Sequence, residues 1–295
     1  MKTQTILRSL CLAGSLVGMT AAWGQVVPPA PHHDTGDSIT GVFEGWFRNS
    51  EGTFLEIGYY NRNLKQELDI PVGPNNRIEP GGPDFGQPTH FYPGKAWGVQ
   101  TIKVPDDFGD KQLTWTITAN GKTTSIPLNL KTDWELSPFI DAGGDLPPYL
   151  SFAPFKAKAR TLMGPIPVET HLTAKVGEAL PLTVFVADDA LVQPDEREMK
   201  VPVTLHWTSF RTSGAVKFDN SRPVVEKTDD EMPPKAVFTG KATTTVTFSE
   251  PGEYILEVVA NDATGEGGGG FMCCWTNGLV KVTVSGPAQH TTGGF

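Results

Sequence analysis

The feature that most constrains the fold of this chain is a strict alternation of apolar and polar residues within short runs. In the run 112–119, Leu113, Trp115 and Ile117 alternate with threonines. Side chains two residues apart lie on the same face of a strand, so this pattern predicts a half-buried β-strand. The same pattern predicts strands at 41–48, 53–60, 64–70, 99–104 and 122–126, and others around Val184, Trp207, Val246, Val258 and Val282. No stretch has the apolar spacing of a long amphipathic helix, so we expect an all-β fold.

The turn residues agree with this prediction. Asn120-Gly121 lies between two strand-like runs and predicts a hairpin, because both turn positions need a positive φ. The 295 residues include 32 Gly and 25 Pro, which are too many for a mostly helical chain. The hydrophobic share of 38% suffices for a core, and 19% charged residues is too few for a disordered chain.

The first residues resemble an export signal. Lys2 and Arg8 precede an apolar segment, 10–22, that is too short to span a membrane. Residues 22–24 read Ala-Trp-Gly, a small-x-small cleavage pattern, so we expect cleavage after Gly24 and a periplasmic or secreted product. No later stretch approaches the ~18 apolar residues of a membrane span. The formal net charge of −9 is spread along the chain, which argues against nucleic acid as a partner.

Composition divides the chain into six predicted segments. A connector rich in proline and aromatic residues separates two strand-rich regions, and a Pro-rich linker follows the signal. The segments are a signal peptide (1–24), a linker (25–38), an N-terminal β-sandwich domain (39–130), the connector (131–165), a C-terminal domain (166–285) and a flexible tail (286–295).

The C-terminal domain carries a resemblance to a known class. Tyr254 opens a strand after Pro251-Gly252, like a tyrosine corner, and Trp207 occupies the place of the central tryptophan of the immunoglobulin fold. The segment PGEYILEVVANDATGE resembles the penultimate strand of bacterial extracellular immunoglobulin-like modules of the PKD and cadherin-like kind, over about 180–284. The resemblance implies two immunoglobulin-like β-sandwich domains, the first more diverged. It also implies that Trp207 and Tyr254 are buried, with Tyr254 bonded to backbone at the preceding corner.

One segment of the N-terminal domain, 71–97, has six prolines and little alternation. Loops of this length are usually functional or disordered, and its aromatic residues argue against disorder. We therefore expect an ordered loop that forms a binding surface for a polysaccharide or protein, or else a loop tied down by Arg77 and Glu79. The candidate binding residues are Asn75, Asn76, Arg77, Glu79, Asp84, His90 and Trp97, with Trp275 from the C-terminal domain.

Acidic residues end two strands of the C-terminal domain. Asp188 and Asp189 end one strand, and Asn261 and Asp262 end another. If both turns lie at one end of a sandwich, their oxygens are suitable ligands for Ca²⁺. The alternative is that they cap turns through their own backbones. The sequence predicts no cofactor, and calcium at these residues is the one candidate.

Cys273 and Cys274 are the only cysteines left after cleavage. Export favours oxidation, and each has no other intramolecular partner than its neighbour. Glycines upstream and a Thr-Asn-Gly turn downstream favour a vicinal disulfide at a loop tip, with Trp275 beside it. Two reduced thiols and an intermolecular bridge are the alternatives.

Catalytic motifs are missing from the sequence: it has no G-x-S-x-G, no H-E-x-x-H and no EF-hand loop. We therefore expect an exported, non-catalytic structural or binding protein. The alternatives are a carbohydrate-binding or adhesion module that uses 71–97, and a hydrolase with an unrecognised site. The sequence does not determine the oligomeric state.

Overall fold

The computed structural model describes residues 33–156, 163–191, 201–262 and 273–287. The predicted signal peptide, most of the predicted linker and most of the predicted tail lie outside the described residues. Within the described ranges the fold is all-β, and the one helical element is a 3-10 turn. None of these residues belongs to a helix long and apolar enough to cross a membrane.

The N-terminal half runs from β1 to the 3-10 turn and pairs its strands antiparallel. Three sheets form, with strand orders β1-β2-β6, β4-β7-β8 and β3-β5. The strands are β1 (Ile39–Asn49), β2 (Gly52–Asn61), β3 (Leu68–Asp69), β4 (Asn76–Glu79), β5 (His90–Phe91), β6 (Gly94–Val104), β7 (Leu113–Ala119) and β8 (Lys122–Leu128), followed by the 3-10 turn Thr132–Trp134.

The C-terminal half, β9 to β17, forms two larger sheets. One has the order β10-β17-β16-β12, and the other β13-β15-β11-β9, with β14 also on β15. All pairs are antiparallel except β10 with β17. The strands are β9 (Tyr149–Ser151), β10 (Val168–Lys175), β11 (Leu180–Asp188), β12 (Thr204–Arg211), β13 (Val216–Phe218), β14 (Glu226–Lys227), β15 (Phe238–Phe248), β16 (Gly252–Asn261) and β17 (Trp275–Ser285).

Two hydrophobic clusters stabilise these halves. The N-terminal core contains Trp115 and Ile57, and the C-terminal core contains Trp207 and Tyr254. The predicted burial of Trp207 and Tyr254 is confirmed. The Tyr254 hydroxyl donates a 2.8 Å hydrogen bond to the carbonyl of Glu250 at the preceding corner, as predicted.

The sheet β10-β17-β16-β12 contributes to both cores because its strands alternate. Trp207 and Val258 point into the C-terminal core. Phe210 and Leu279, from the same sheet, belong to the N-terminal core. A bulge between Ser209 and Arg211 lies at this point of β12. The two halves thus pack against each other across one sheet, while the boundaries of independently folding domains stay a prediction.

The hairpin between β7 and β8 forms at the two turn residues that predict it. Asn120 and Gly121 have φ values of 50° and 74° and join β7 to β8, so the hairpin is confirmed. The predicted strand at 64–70 is wrong over most of its length. Only Leu68–Asp69 pairs as a strand, because the preceding backbone amides donate elsewhere: that of Leu64 bonds to the carbonyl of His33.

The segment 71–97 is more regular than expected. It contains β4, β5 and the start of β6, and β4 pairs with β7. Asn76 explains this order: its side-chain amide donates to the carbonyls of Ile70 and Pro88, and its Oδ1 accepts from Nε1 of Trp115. The predicted connector likewise contributes a strand, β9, which pairs with β11.

Candidate ligand cavity

A cavity of about 280 Å³ lies between the N-terminal half and the sheet β10-β17-β16-β12. Aromatic rings supply much of its wall and a few polar groups converge on it. The lining from the N-terminal half includes Tyr59, Tyr92, Lys95, Trp97 and Val99, and that from the C-terminal half includes His206, Thr208, Glu257, Val259 and Trp275.

Hydrogen bonds fix two of the rings. The Tyr59 hydroxyl accepts a 3.1 Å bond from the backbone amide of Tyr92. The Tyr92 hydroxyl in turn accepts a 3.1 Å bond from the amide of Ser209 in β12. His90 packs edge-on against Tyr92 at 4.6 Å between ring centroids. This chain of contacts connects both halves of the molecule, so the aromatic wall is positioned by the packing of the halves.

Charged groups lie on and behind the wall. Glu257 is 5% exposed and accepts a 3.2 Å bond from the hydroxyl of Thr208. The ammonium of Lys95 lies 3.8 Å from the ring centroid of Trp97 and 2.6 Å from Oε1 of Glu44. Burial lowers the pKa of His206 to about 4, with the nearby charge of Arg222 adding to the effect, so this imidazole is neutral at pH 7.

Glu56 lies directly behind this wall. A Cβ at Gly98, where φ is +48°, would overlap both the Trp275 ring and Oε1 of Glu56. Glu56 is fully buried, and neither of its carboxylate oxygens has a hydrogen-bond partner among the described residues. Burial raises the pKa of Glu56 well above its usual range, and the charge of Glu44 raises it further.

The structure divides the predicted binding residues into two groups. Trp97 and Trp275 line the cavity, and His90 contacts its wall through Tyr92. The others lie elsewhere in structural roles. Asn76 is buried in β4, the strand that pairs with β7. Arg77 pairs with Glu79 at 3.0 Å, and Asp84 accepts two bonds from Arg211 at 2.7 and 3.0 Å. Asn75 is exposed, and its carbonyl accepts a bond from the amide of Thr118.

Of the predicted calcium ligands, Asp262 has an oxygen within 4.8 Å of one from Asp145 in the connector, and the charge of Asp145 acts on Asp188. Asp145, Asp188 and Asp262 are all buried. Burial raises the pKa of Asp188 to about 7, with Asp189 and Asp145 adding to it. However, Oδ1 of Asp188 accepts a 2.8 Å bond from the amide of Ala190, as the turn-cap alternative expects. Asn261 is buried at the end of β16, and calcium stays a prediction.

The two cysteines are adjacent to this acidic cluster. Their sulfur atoms lie in bonding contact as a vicinal pair, and both residues are buried. Sγ of Cys274 lies 3.6 Å from the carbonyl of Asp145, and one oxygen each from Asp145 and Asp262 lies within 4.8 Å of it. Trp275, the next residue, is buried and forms part of the cavity wall. Pairing of the thiols in the exported protein stays a prediction.

Comparisons with known proteins add little. No family model matches the chain, and no curated protein matches it. Solved structures with some similarity include a family 123 glycoside hydrolase from Clostridium perfringens (11% identity, 41% of this chain, 23% of that chain, TM-score 0.27). Others are the SrpA adhesin from Streptococcus sanguinis (12%, 47% and 58%, TM-score 0.23) and the D00-D0 domain of intimin (13%, 83% and 100%, TM-score 0.25). The chain spans about a quarter of the hydrolase and just over half of the SrpA chain. Similarities at these TM-scores establish neither a shared fold nor a shared function.

Proposed function

We propose that this protein is an exported, non-catalytic module that binds an extracellular carbohydrate in the cavity between its two halves. The observation that supports this most is the convergence of Tyr59, Tyr92, Trp97 and Trp275 on one concave site. Flat aromatic faces pack against the C–H faces of a sugar ring, while Glu257 and Thr208 offer partners for its hydroxyl groups. A mostly apolar concavity with a few convergent polar groups is the usual form of a ligand site.

The domain architecture that we propose is two immunoglobulin-like sandwiches. In the C-terminal half, two sheets enclose one core, Trp207 is central, and Tyr254 makes a corner bond. These features are typical of the immunoglobulin fold. The N-terminal half, with smaller sheets, is the more diverged of the two. Because a fold of this kind does not determine function, the cavity carries the functional proposal.

The lining of the cavity favours binding over hydrolysis. Glycosidases generally use two carboxyl groups that flank the scissile bond, about 5–9.5 Å apart. Of the described residues that line the cavity, Glu257 is the one with a carboxylate. Glu56 lies behind Trp275 and Gly98. Release of reducing sugar from a bound glycan would contradict the non-catalytic part of the proposal.

Titration calorimetry of the exported protein against a panel of soluble oligosaccharides tests the binding. Trp97→Ala removes a ring from the wall and should abolish the heat of binding. Trp134→Ala is the matched control, because Trp134 is 48% exposed and lies in the 3-10 turn, away from the cavity. Absence of binding to every glycan, or equal loss in both variants, would overturn the proposal. Sequencing of the exported protein should give Gln25 as its first residue.

A further inference from the structure

We propose that this cavity binds the terminal residue of a glycan chain, as a single ring, and does not admit the interior of a chain. This inference rests on the proposed carbohydrate-binding function and names the class of ligand more narrowly. Four features of the cavity support it: its size, the contacts that close two of its sides, the limited aromatic surface that it leaves for a ligand, and its neutral polar groups.

The size of the cavity suits one sugar ring. The cavity measures about 280 Å³, just below the range of about 300–1,000 Å³ that is usual for sites of drug-sized ligands. A run of several sugar units is larger than such a ligand, so it does not fit inside. The remaining units of a bound chain therefore extend from the mouth of the cavity into solvent.

Contacts between the two halves close the cavity on two sides. On one side, the hydroxyl of Tyr92 accepts a hydrogen bond from the backbone amide of Ser209. On another, the ring of Trp275 packs so closely over Gly98 that a Cβ there would overlap it, and Nδ2 of Asn277 donates a 2.6 Å bond to the Gly98 carbonyl. An interior segment needs both an entrance and an exit between the halves, whereas a chain end needs only an entrance.

The aromatic surface left for a ligand is small. Nζ of Lys95 lies 3.8 Å from the centroid of the Trp97 ring and 2.6 Å from Oε1 of Glu44, so an ion pair holds the ammonium over the indole. At most one face of Trp97 is then left for a ligand. Tyr59 and Trp275 are 5% and 2% exposed and add little further surface. A wall of this kind packs against one sugar ring and not against a row of them.

His206 and Thr208 supply neutral polar groups to the lining. Nη2 of Arg222 lies 3.2 Å from Nδ1 of His206. Because a guanidinium only donates, Nδ1 accepts this bond and Nε2 of the neutral imidazole carries the hydrogen. The hydroxyl of Thr208 already donates, to Glu257, and retains the capacity to accept. A terminal sugar has a free hydroxyl where an interior one carries a glycosidic bond, and such a donor and acceptor suit that hydroxyl.

Calorimetry with linear and cyclic glucose oligomers tests the inference. The probes are glucose, its linear α-1,4-linked dimer and hexamer, and the cyclic hexamer, measured on the full-length exported protein. The cyclic hexamer is the matched control, because it has the same sugar and linkage but no chain end. We expect glucose, the dimer and the linear hexamer to agree within about threefold in dissociation constant, and the cyclic hexamer to bind at least about tenfold more weakly. If this series does not bind, linear oligomers of two and six units of the glycan that binds in the panel give the same comparison.

The outcomes separate this inference from the proposed function. A linear hexamer that binds more than about threefold more tightly than the dimer, or a cyclic hexamer less than about tenfold weaker than the linear one, shows that a chain interior is bound. Either result overturns the inference and leaves carbohydrate binding standing. Chain-end binding that survives in Trp97→Ala, with Trp134→Ala as the control, would assign it to another surface and overturn both. Binding of no glycan overturns the carbohydrate-binding function, and this inference with it.

Discussion

Phe210 provides the sharpest test of how the two halves are joined. It lies on β12, the strand that carries Trp207 into the C-terminal core, yet its ring is 2% exposed and belongs to the N-terminal core. Its backbone carbonyl accepts a 3.0 Å bond from the amide of Thr89. The next residue, Arg211, holds Asp84 with two hydrogen bonds. Phe210 is therefore a residue of the C-terminal half that packs in the core of the N-terminal half.

The variant Phe210→Ala removes this ring. Truncation of a buried Phe to Ala typically costs ~3–5 kcal/mol, through lost burial and the cavity left behind. Domains are usually stable by only ~5–15 kcal/mol, so the loss is a large share of the total. Because the ring connects the halves, we expect one shared transition, shifted to lower denaturant by an amount equivalent to ~3–5 kcal/mol.

Guanidinium unfolding followed by far-UV circular dichroism and tryptophan fluorescence provides the measurement. The summed tryptophan fluorescence follows both cores, since Trp115 lies in the N-terminal core and Trp207 in the C-terminal core. Val237→Ala is the control, since Val237 is 61% exposed and its change should stay within ~0.5 kcal/mol. A loss under ~1 kcal/mol for Phe210→Ala, or two separate transitions, would show that the two halves are not coupled through this ring. Two transitions would favour the independent domains predicted from the sequence, for which Trp207→Ala should unfold the C-terminal half alone.

Three further predictions concern the acidic cluster and the cysteines. The pKa of Asp188 is raised to about 7 in the folded protein, against ~4 in an unfolded chain. Between these pH values the unfolded chain releases this proton while the folded protein keeps it, so the free energy of unfolding falls as the pH rises from ~4 to 7. Asp188→Asn should flatten this decline when urea unfolding is compared at pH 5 and pH 7.5, and an unchanged slope would contradict it. Millimolar Ca²⁺ should raise the melting temperature of the unaltered protein and not that of Asp188→Asn; no shift and no heat of binding would retire the calcium prediction. Because both cysteines are buried, thiol labelling of the exported protein is done in denaturant, where Cys273 and Cys274 should stay unlabelled until a reductant is added. Two labels without reductant would exclude the disulfide, and a covalent dimer on a non-reducing gel would indicate an intermolecular bridge.

The parts of the fold that follow from the sequence are those with local causes. The hairpin of β7 and β8 depends on Asn120-Gly121 and on alternation within each strand, so neighbouring residues suffice to predict it. Tyr254 and its bond to Glu250 are similarly local. By contrast, β4 exists because Asn76 pairs opposite Ile117, a partner 41 residues away that no local pattern identifies.

In the candidate cavity, too, the sequence indicates single residues but not their arrangement. Trp97 and Trp275 stand out in the sequence as large rings near unusual segments, but only the packing of the halves brings them together. Glu56 and Glu257 lie at positions of alternating strands that ordinarily face solvent. A second layer of protein covers those faces here, so both carboxylates are buried. The sequence signal for each is a glutamate within an apolar run, FLEI for Glu56 and ILEVVA for Glu257.

The parallel pairing of β10 with β17 determines how the C-terminal half responds to a pulling force. The chain enters β10 at Val168 and leaves β17 at Ser285, and eight residue pairs join these strands in register. Tension applied at these two points runs along both strands in opposite directions. The hydrogen bonds of the ladder are then loaded in shear all together, and they do not open one after another as in an unzipping hairpin. We expect a high unfolding force in single-molecule stretching, which would let the module transmit mechanical load between whatever is attached at either side.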